Sequence, residues 1–208
     1  MSEKIIPKHI EDAIYNYLPH MEGWTTPERG IEMASRIIET SARIIVDIGV
    51  FAGRSTVAQG FAARELRTSM VYGIDPWKIE AQIEGDNVVA NAQWWKQSVN
   101  LEYMHQQTMI VLWAHRLDQW VTIIRNASQY VYQLFPEIDF LNIDGSHTEL
   151  SSCRDVELYV PRVKSGCYIT FDDCDWPTTQ PALRLIEESC DLIKVMKGDN
   201  EARVYRKR

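Results

Sequence analysis

Ile44-Ile45-Val46-Asp47-Ile48-Gly49-Val50-Phe51-Ala52-Gly53-Arg54-Ser55-Thr56 reads as a buried strand, a glycine turn and the start of a helix, with a carboxylate set into the turn. A strand end followed by a helix N-terminus is where open α/β sheets bind nucleotide-like ligands. A dinucleotide turn follows G-x-G-x-x-G, and its middle glycine lets the backbone approach a pyrophosphate. Here Phe51 holds that middle position, and Asp47 puts a negative charge where phosphates would sit. Such a turn suits a cationic ligand without phosphates. S-adenosylmethionine, with its ammonium and sulfonium groups, fits that description.

Outward from the turn, strands and helices alternate. A short leading helix is expected near Ile10 to Leu18. Thr26 is the expected N-cap of a second, with Pro27 at its first position and Ile31, Ala34 and Ile38 at helical spacing to about Glu39. Strands are predicted at Arg43 to Ile48, Met70 to Ile74, Val121 to Arg125, Asp139 to Ile143 and Cys167 to Phe171. Two more follow at Leu192 to Met196 and Ala202 to Tyr205, joined through Gly198-Asp199-Asn200 as a hairpin. A helix is expected from Ser55 to about Leu66. This alternation predicts an α/β, Rossmann-like doubly wound fold with a mostly parallel seven-stranded sheet and helices on both faces.

No repeat or linker divides the 208 residues, so one domain is expected, with residues 1–40 as an N-terminal helical segment. Residues 78–120 are too long for a plain crossover. Past Glu80, Glu84, Gly85 and Asp86, Val88, Ala92, Trp95 and Val99 fall on one helical face, with Trp94 on another side; a second helix covers Tyr103 to Arg116. An active-site cover, an ordinary packed insertion and an oligomer contact are all open readings of this segment.

The net charge of −7 and pI of about 5.3 argue against sequence-independent nucleic-acid binding, which basic patches drive. No apolar run reaches the roughly 18 residues that span a bilayer. Met1-Ser2-Glu3-Lys4 has no secretory pattern, and Cys153, Cys167, Cys174 and Cys190 form neither a C-x-x-C pair nor a zinc spacing. The expectation is a cytoplasmic protein with a small-molecule acceptor, with no membrane or nucleic-acid partner, and with a homo-oligomer left open.

Four motifs in order carry a family resemblance: D-I-G-x-x-x-G-R-S-T from Asp47, Gly73-Ile74-Asp75-Pro76-Trp77, Ile143-Asp144-Gly145-Ser146-His147 and Phe171-Asp172-Asp173. From about Gly23 to the C-terminus the chain resembles the class I S-adenosylmethionine-dependent methyltransferases. The likeness is to the subgroup containing sugar and macrolide O-methyltransferases and cephalosporin-hydroxylase-like proteins. The resemblance also implies the final antiparallel hairpin strand.

Asp75 closes the second strand, where a carboxylate can accept both ribose hydroxyls; the plainer role is a turn acid before Pro76. Asp47 is expected to hold the methionine end of the donor, with backbone groups around Gly49 and Gly53 as its cradle. Ser55 and Thr56 adjoin it and are also candidates to cap the helix. Asn126 follows the third strand, where the resemblance implies an acid or amide that meets adenine.

Asp144, Asp172 and Asp173 lie just past neighbouring strand ends, so like charges converge. A hard divalent cation, Mg²⁺ before Mn²⁺ or Ca²⁺, would resolve that repulsion. The resemblance agrees, since metal-dependent members carry acids at the matching positions. Asp144 also adjoins the expected donor site. His147, on the Asp144 loop, is the candidate general base for an acceptor hydroxyl, with Asp144 beside it. Trp77, Trp176 and Trp94 adjoin the motif ends as a sugar-stacking wall or as core.

The expected activity is metal-assisted O-methylation of a sugar or small glycosylated metabolite. Three alternatives stay open: a metal-independent O- or N-methyltransferase with His147 as base, a nicotinamide-dinucleotide oxidoreductase, and a binding protein without turnover.

Overall fold

The computed structural model describes residues 6–82 and 89–208. The first four residues, Glu84-Gly85-Asp86 and Val88 fall outside the described residues, and so do the side chains of Ala92 and Trp94.

The chain opens with α1 (Lys8–Tyr17) and α2 (Pro27–Thr40). As expected, Thr26 caps α2: its hydroxyl accepts from the Arg29 N–H at 3.3 Å, with Pro27 at the first position. Then follow β1 (Ile44–Ile48), α3 (Arg54–Leu66), β2 (Met70–Ile74), the short α4 (Ile79–Gln82), α5 (Val89–Ser98), α6 (Leu101–Ala114) and β3 (Val121–Ile124). The remainder is β4 (Ile138–Ile143), α7 (Glu149–Tyr159), β5 (Val163–Phe171), α8 (Gln180–Glu187), β6 (Cys190–Lys197) and β7 (Glu201–Lys207).

One seven-stranded sheet results, in the order β3-β2-β1-β4-β5-β7-β6. All neighbours pair parallel except β7, which runs antiparallel to both β5 and β6. The C-terminal hairpin is therefore present, and the fold is the Rossmann-like α/β arrangement that the alternation implied.

Strand side chains alternate between faces, so each strand feeds two cores. Ile45, Phe140, Tyr168 and Val204 enter the core beneath α1, α2 and α3. Val46, Leu141, Ile169 and Tyr205 enter the one beneath α7 and α8. The chain order reverses at β1, which lies between β2 and β4. A crevice outside the C-terminal strand ends is expected at such a reversal. Among the described residues no helix is long and apolar enough to cross a membrane.

Candidate active site

Beyond the C-terminal ends of β1, β4 and β5 lies a cavity of about 710 Å³. Its floor is the turn after β1. Gly49 has φ +88°, and a Cβ there would lie 1.8 Å from the Asp144 carbonyl oxygen, so only glycine lets the β1 and β4 loops approach this closely. Phe51 also sits at positive φ (50°), unusual for a bulky side chain. Its backbone is held there from three sides. The N–H donates to Asp75 Oδ2 at 2.9 Å, and the carbonyl accepts from Trp77 Nε1 at 2.8 Å and Thr108 Oγ1 at 3.2 Å. Asp75 Oδ1 accepts from the Trp77 N–H at 2.7 Å, so backbone donors fix the carboxylate on the cavity wall. Burial pushes its pKa up against the pull of those donors.

A polar cluster closes the far end. His147 Nε2 lies 2.6 Å from Asp173 Oδ2 and 3.9 Å from Asp144 Oδ1. Asp173 takes a second hydrogen bond from the Asn200 amide, and Asp173 itself has φ 51°. Such an outlier persists only where its surroundings over-determine it. Asp172 pairs with Arg29 of α2, whose Nη1 donates to Asp172 Oδ1 at 2.7 Å. Arg29 Nη2 also donates to the Asn200 carbonyl at 2.5 Å, joining α2 to the β6–β7 turn.

The charges interact strongly here. Burial and the repulsion of Asp172, Asp173 and Asp47 carry the Asp144 carboxyl well above the usual range. Burial would lower His147, but Asp173, as hydrogen-bond and charge partner, raises it above the ordinary histidine value. Asp173 is buried too, yet His147, Asn200 and Arg29 hold it below the usual carboxylate range.

The methyltransferase-domain family matches residues 46–174, which contain the glycine turn, Asp75 and the Asp144–His147 loop. The chain belongs to the class I S-adenosylmethionine-dependent methyltransferases. No curated protein matches it by sequence. Solved structures share the fold at low identity. The O-methyltransferase NovP is 15% identical with a TM-score of 0.66, covering 86% of this chain and 78% of its own. An O-methyltransferase from Bacillus cereus in complex with SAH is 15% identical with a TM-score of 0.64, covering 98% and 93%. TomG from Streptomyces achromogenes, an O-methyltransferase involved in tomaymycin synthesis and solved with SAM, is 10% identical with a TM-score of 0.64, covering 98% and 92%.

Of the residues expected at this methyltransferase's donor site, Gly49, Ser55, Asp75 and Asp144 line the cavity. Asp47, Gly53, Thr56 and Asn126 do not. Alternation along β1 turns Asp47 into the layer under α3. There it is fully buried and accepts from Ser55 Oγ at 3.0 Å, Thr56 Oγ1 and Asn142 Nδ2 at 2.7 Å. Its oxygens are occupied by neighbours, so it holds the turn rather than reaching the methionine end. Ser55 and Thr56 spend their hydroxyls on Asp47 and do not cap α3, whose N-cap is Gly53 with no side-chain cap bond. Asn126 is exposed, and its carbonyl oxygen accepts from the Ala127 N–H at 2.9 Å.

The acid triplet is also rearranged. The groups offering ligand atoms within 4.8 Å of one another are Asp144, His147 and Asp173, with Asp172 replaced by His147. Trp77 is 4% exposed and packs beside Val50 and Leu101, so it is core. Trp176 lines the cavity as expected, and Trp24, Phe51 and Trp95 complete the aromatic wall. Trp24 stacks on Phe51 at 5.1 Å between centroids, and Trp95 meets Phe51 edge-on at 5.7 Å.

Arg29 and Asn200 were missed from sequence. Arg29 had a signal: it shares the buried stripe of α2 with Met33 and Ile37, where a bare cation would be costly. Asn200 had none beyond its place in a turn.

Proposed function

We propose that this methyltransferase moves the methyl group of S-adenosylmethionine to a hydroxyl oxygen of a sugar or small glycosylated metabolite, with His147 as general base. The observation that carries this reading is the 2.6 Å contact between His147 Nε2 and Asp173. With Nε2–H donated to Asp173, the lone pair on Nδ1 is left to accept the hydroxyl proton. The oxygen then forms a bond to the methyl carbon as the carbon–sulfur bond breaks. The electron pair stays on sulfur, giving the neutral thioether S-adenosylhomocysteine, and His147 carries the proton. Asp173 orients the ring and stabilises the imidazolium, as a carboxylate does for a catalytic histidine elsewhere.

The donor rests on Asp75 for its ribose and on the backbone at Gly49. Aromatic faces of Trp24, Phe51, Trp95 and Trp176 support an acceptor with a flat carbon–hydrogen surface, as a sugar ring has. Gln82 and Trp95 bring residues 78–120 to the cavity wall, which favours the cover reading of that segment.

The carboxylates gathered here fit a hard divalent cation such as Mg²⁺, which Asp144 and Asp173 would hold with Asp172, leaving His147 as the base. When bound, it would supply the positive charge that makes the acceptor hydroxyl more acidic. A metal-independent version of the same transfer has its own support: Arg29 already neutralises Asp172, and His147 already partners Asp173.

The deciding assay is methyl transfer from labelled S-adenosylmethionine to a panel of glycosides, run with EDTA-stripped protein and again with Mg²⁺ restored. Product formed only with Mg²⁺ supports the metal-assisted reading, and equal rates select the metal-independent one. In either case His147→Ala should lower kcat by about 10²–10⁴-fold with S-adenosylhomocysteine affinity kept. A His147→Ala enzyme of undiminished kcat removes His147 as base.

A further inference from the structure

Arg54 holds the first position of α3, directly after Gly53 at the end of the glycine turn, and lines the main cavity. It takes no part in the transfer described above. Its guanidinium reaches instead to the chain that leads into α2. Nε donates to the Met21 carbonyl at 2.8 Å, Nη2 donates to the same oxygen, and Nη1 donates to the Thr25 carbonyl at 3.4 Å. One side chain thus fastens both ends of the segment Met21-Glu22-Gly23-Trp24-Thr25. A planar fork of donors can hold two carbonyls in a fixed relation, which the point charge of a lysine on its flexible stem does less rigidly.

That segment is a wall of the cavity, lined by Glu22, Gly23, Trp24 and Thr25. Gly23 has φ +120°, and a Cβ there would stand 3.5 Å from Arg54 Cδ and 3.6 Å from Phe51 Cδ1. Backbone conformation, and not lack of space, selects glycine at this point. Trp24 then lays its ring on Phe51, with centroids 5.1 Å and planes 27° apart, and still remains 54% exposed. An aromatic ring backed on one side and open on the other is a platform for a flat ligand surface. Phe51 is in turn tied through its N–H to Asp75 Oδ2. The platform and the glycine turn are therefore one connected piece, with Arg54 at the junction.

We propose that Arg54 is a positioning residue for the acceptor: by holding the Met21 and Thr25 carbonyls it keeps Trp24 on Phe51, so the ring on which the acceptor stacks stands at a fixed place relative to the methyl donor. The proposal rests on the glycoside-methylating reading of the same cavity. Arg54 acts through Trp24 and not on either reactant. Fixing the two reactants against each other matters because a misplacement of about 1 Å can cost about 10²-fold in rate.

The test combines methyl transfer to the glycosides that wild type accepts with amide hydrogen exchange of the full chain bound to S-adenosylhomocysteine. Arg54→Gln should raise the acceptor KM about 10-fold and leave the S-adenosylhomocysteine Kd within about 2-fold of wild type. Exchange should rise in the peptide covering residues 21–26 more than in any other. Arg54→Lys should fall between wild type and Arg54→Gln, and it serves if Arg54→Gln does not fold. Trp24→Ala should raise the acceptor KM by itself, and adding Arg54→Gln should raise it no further. A wild-type acceptor KM in Arg54→Gln overturns the proposal. So does a KM increase that adds in full to that of Trp24→Ala, or exchange over residues 21–26 that does not change. A wild type that methylates none of the glycosides fails the acceptor reading and takes the proposal with it, an outcome distinct from a working enzyme whose KM ignores Arg54.

Discussion

Asp47 on β1 and Asn142 on β4 are register partners whose side chains meet inside the protein, the Asn142 amide donating to Asp47 Oδ1 at 2.7 Å. The ladder continues one strand further, since Thr170 Oγ1, on the register partner of Asn142 in β5, donates to Asn142 Oδ1 at 2.5 Å. Three adjacent strands are thus pinned by polar side chains directly under the glycine turn. Replacing Asn142 with Leu removes a donor from a buried carboxylate and should cost about 2–4 kcal/mol in urea unfolding. A loss below about 0.5 kcal/mol would show that Asp47 does not depend on this partner.

Gly49→Ala places a Cβ against the Asp144 carbonyl, where backbone and not a flexible side chain must yield. The expected result is loss of S-adenosylhomocysteine binding or of soluble protein, read by titration and by circular dichroism. Gly166→Ala is the control. It also has positive φ (82°), but its nearest neighbour is the far end of Arg206 at 3.6 Å, so only the backbone cost of roughly 1 kcal/mol should appear. Wild-type binding by Gly49→Ala would mean that the β1 and β4 loops separate freely.

Arg29 and Asp172 are both buried, so breaking the pair from one side strands a charge. Arg29→Met should destabilise by about 3–5 kcal/mol, and adding Asp172→Asn should recover part of that loss. The double-mutant cycle measures the coupling. Strict additivity of the two changes would remove the pair from the account of how α2 is fixed to the site.

Asp139 governs acid stability at the other end of the sheet. Its Oδ2 accepts from the Arg43 and Ile44 N–H groups at 2.9 and 2.8 Å, and Lys164 Nζ lies 2.9 Å from Oδ1. Burial opposes ionisation, but these partners win and hold the folded-state pKa below the ordinary aspartate value. A depressed carboxylate pKa stabilises the fold above the unfolded-state value of about 4, and that contribution is lost as pH falls through the folded value. Asp139→Asn should therefore cost about 1–2 kcal/mol at pH 7, and the gap from wild type should shrink at pH 3. A gap independent of pH would assign the effect to geometry instead of charge.

What the sequence determined by itself was local. A β-branched run, a glycine turn and a helix start sit within thirteen residues, so Ile44 to Thr56 declares its own structure and the kind of ligand it faces. Asp75 was legible for the same reason, since a strand end fixes where its next residue projects. Asp144, Asp173 and His147 could be grouped because parallel neighbours bring their following loops together. Tertiary structure decided what those groups touch. Strand alternation sent Asp47 beneath α3, and Arg29 reached Asp172 across 143 positions of chain. Asn200 met Asp173 only because β7 returns antiparallel beside β5. Periodicity tells which side of an element is buried, but the partner of a buried polar group is set by packing between elements distant in sequence.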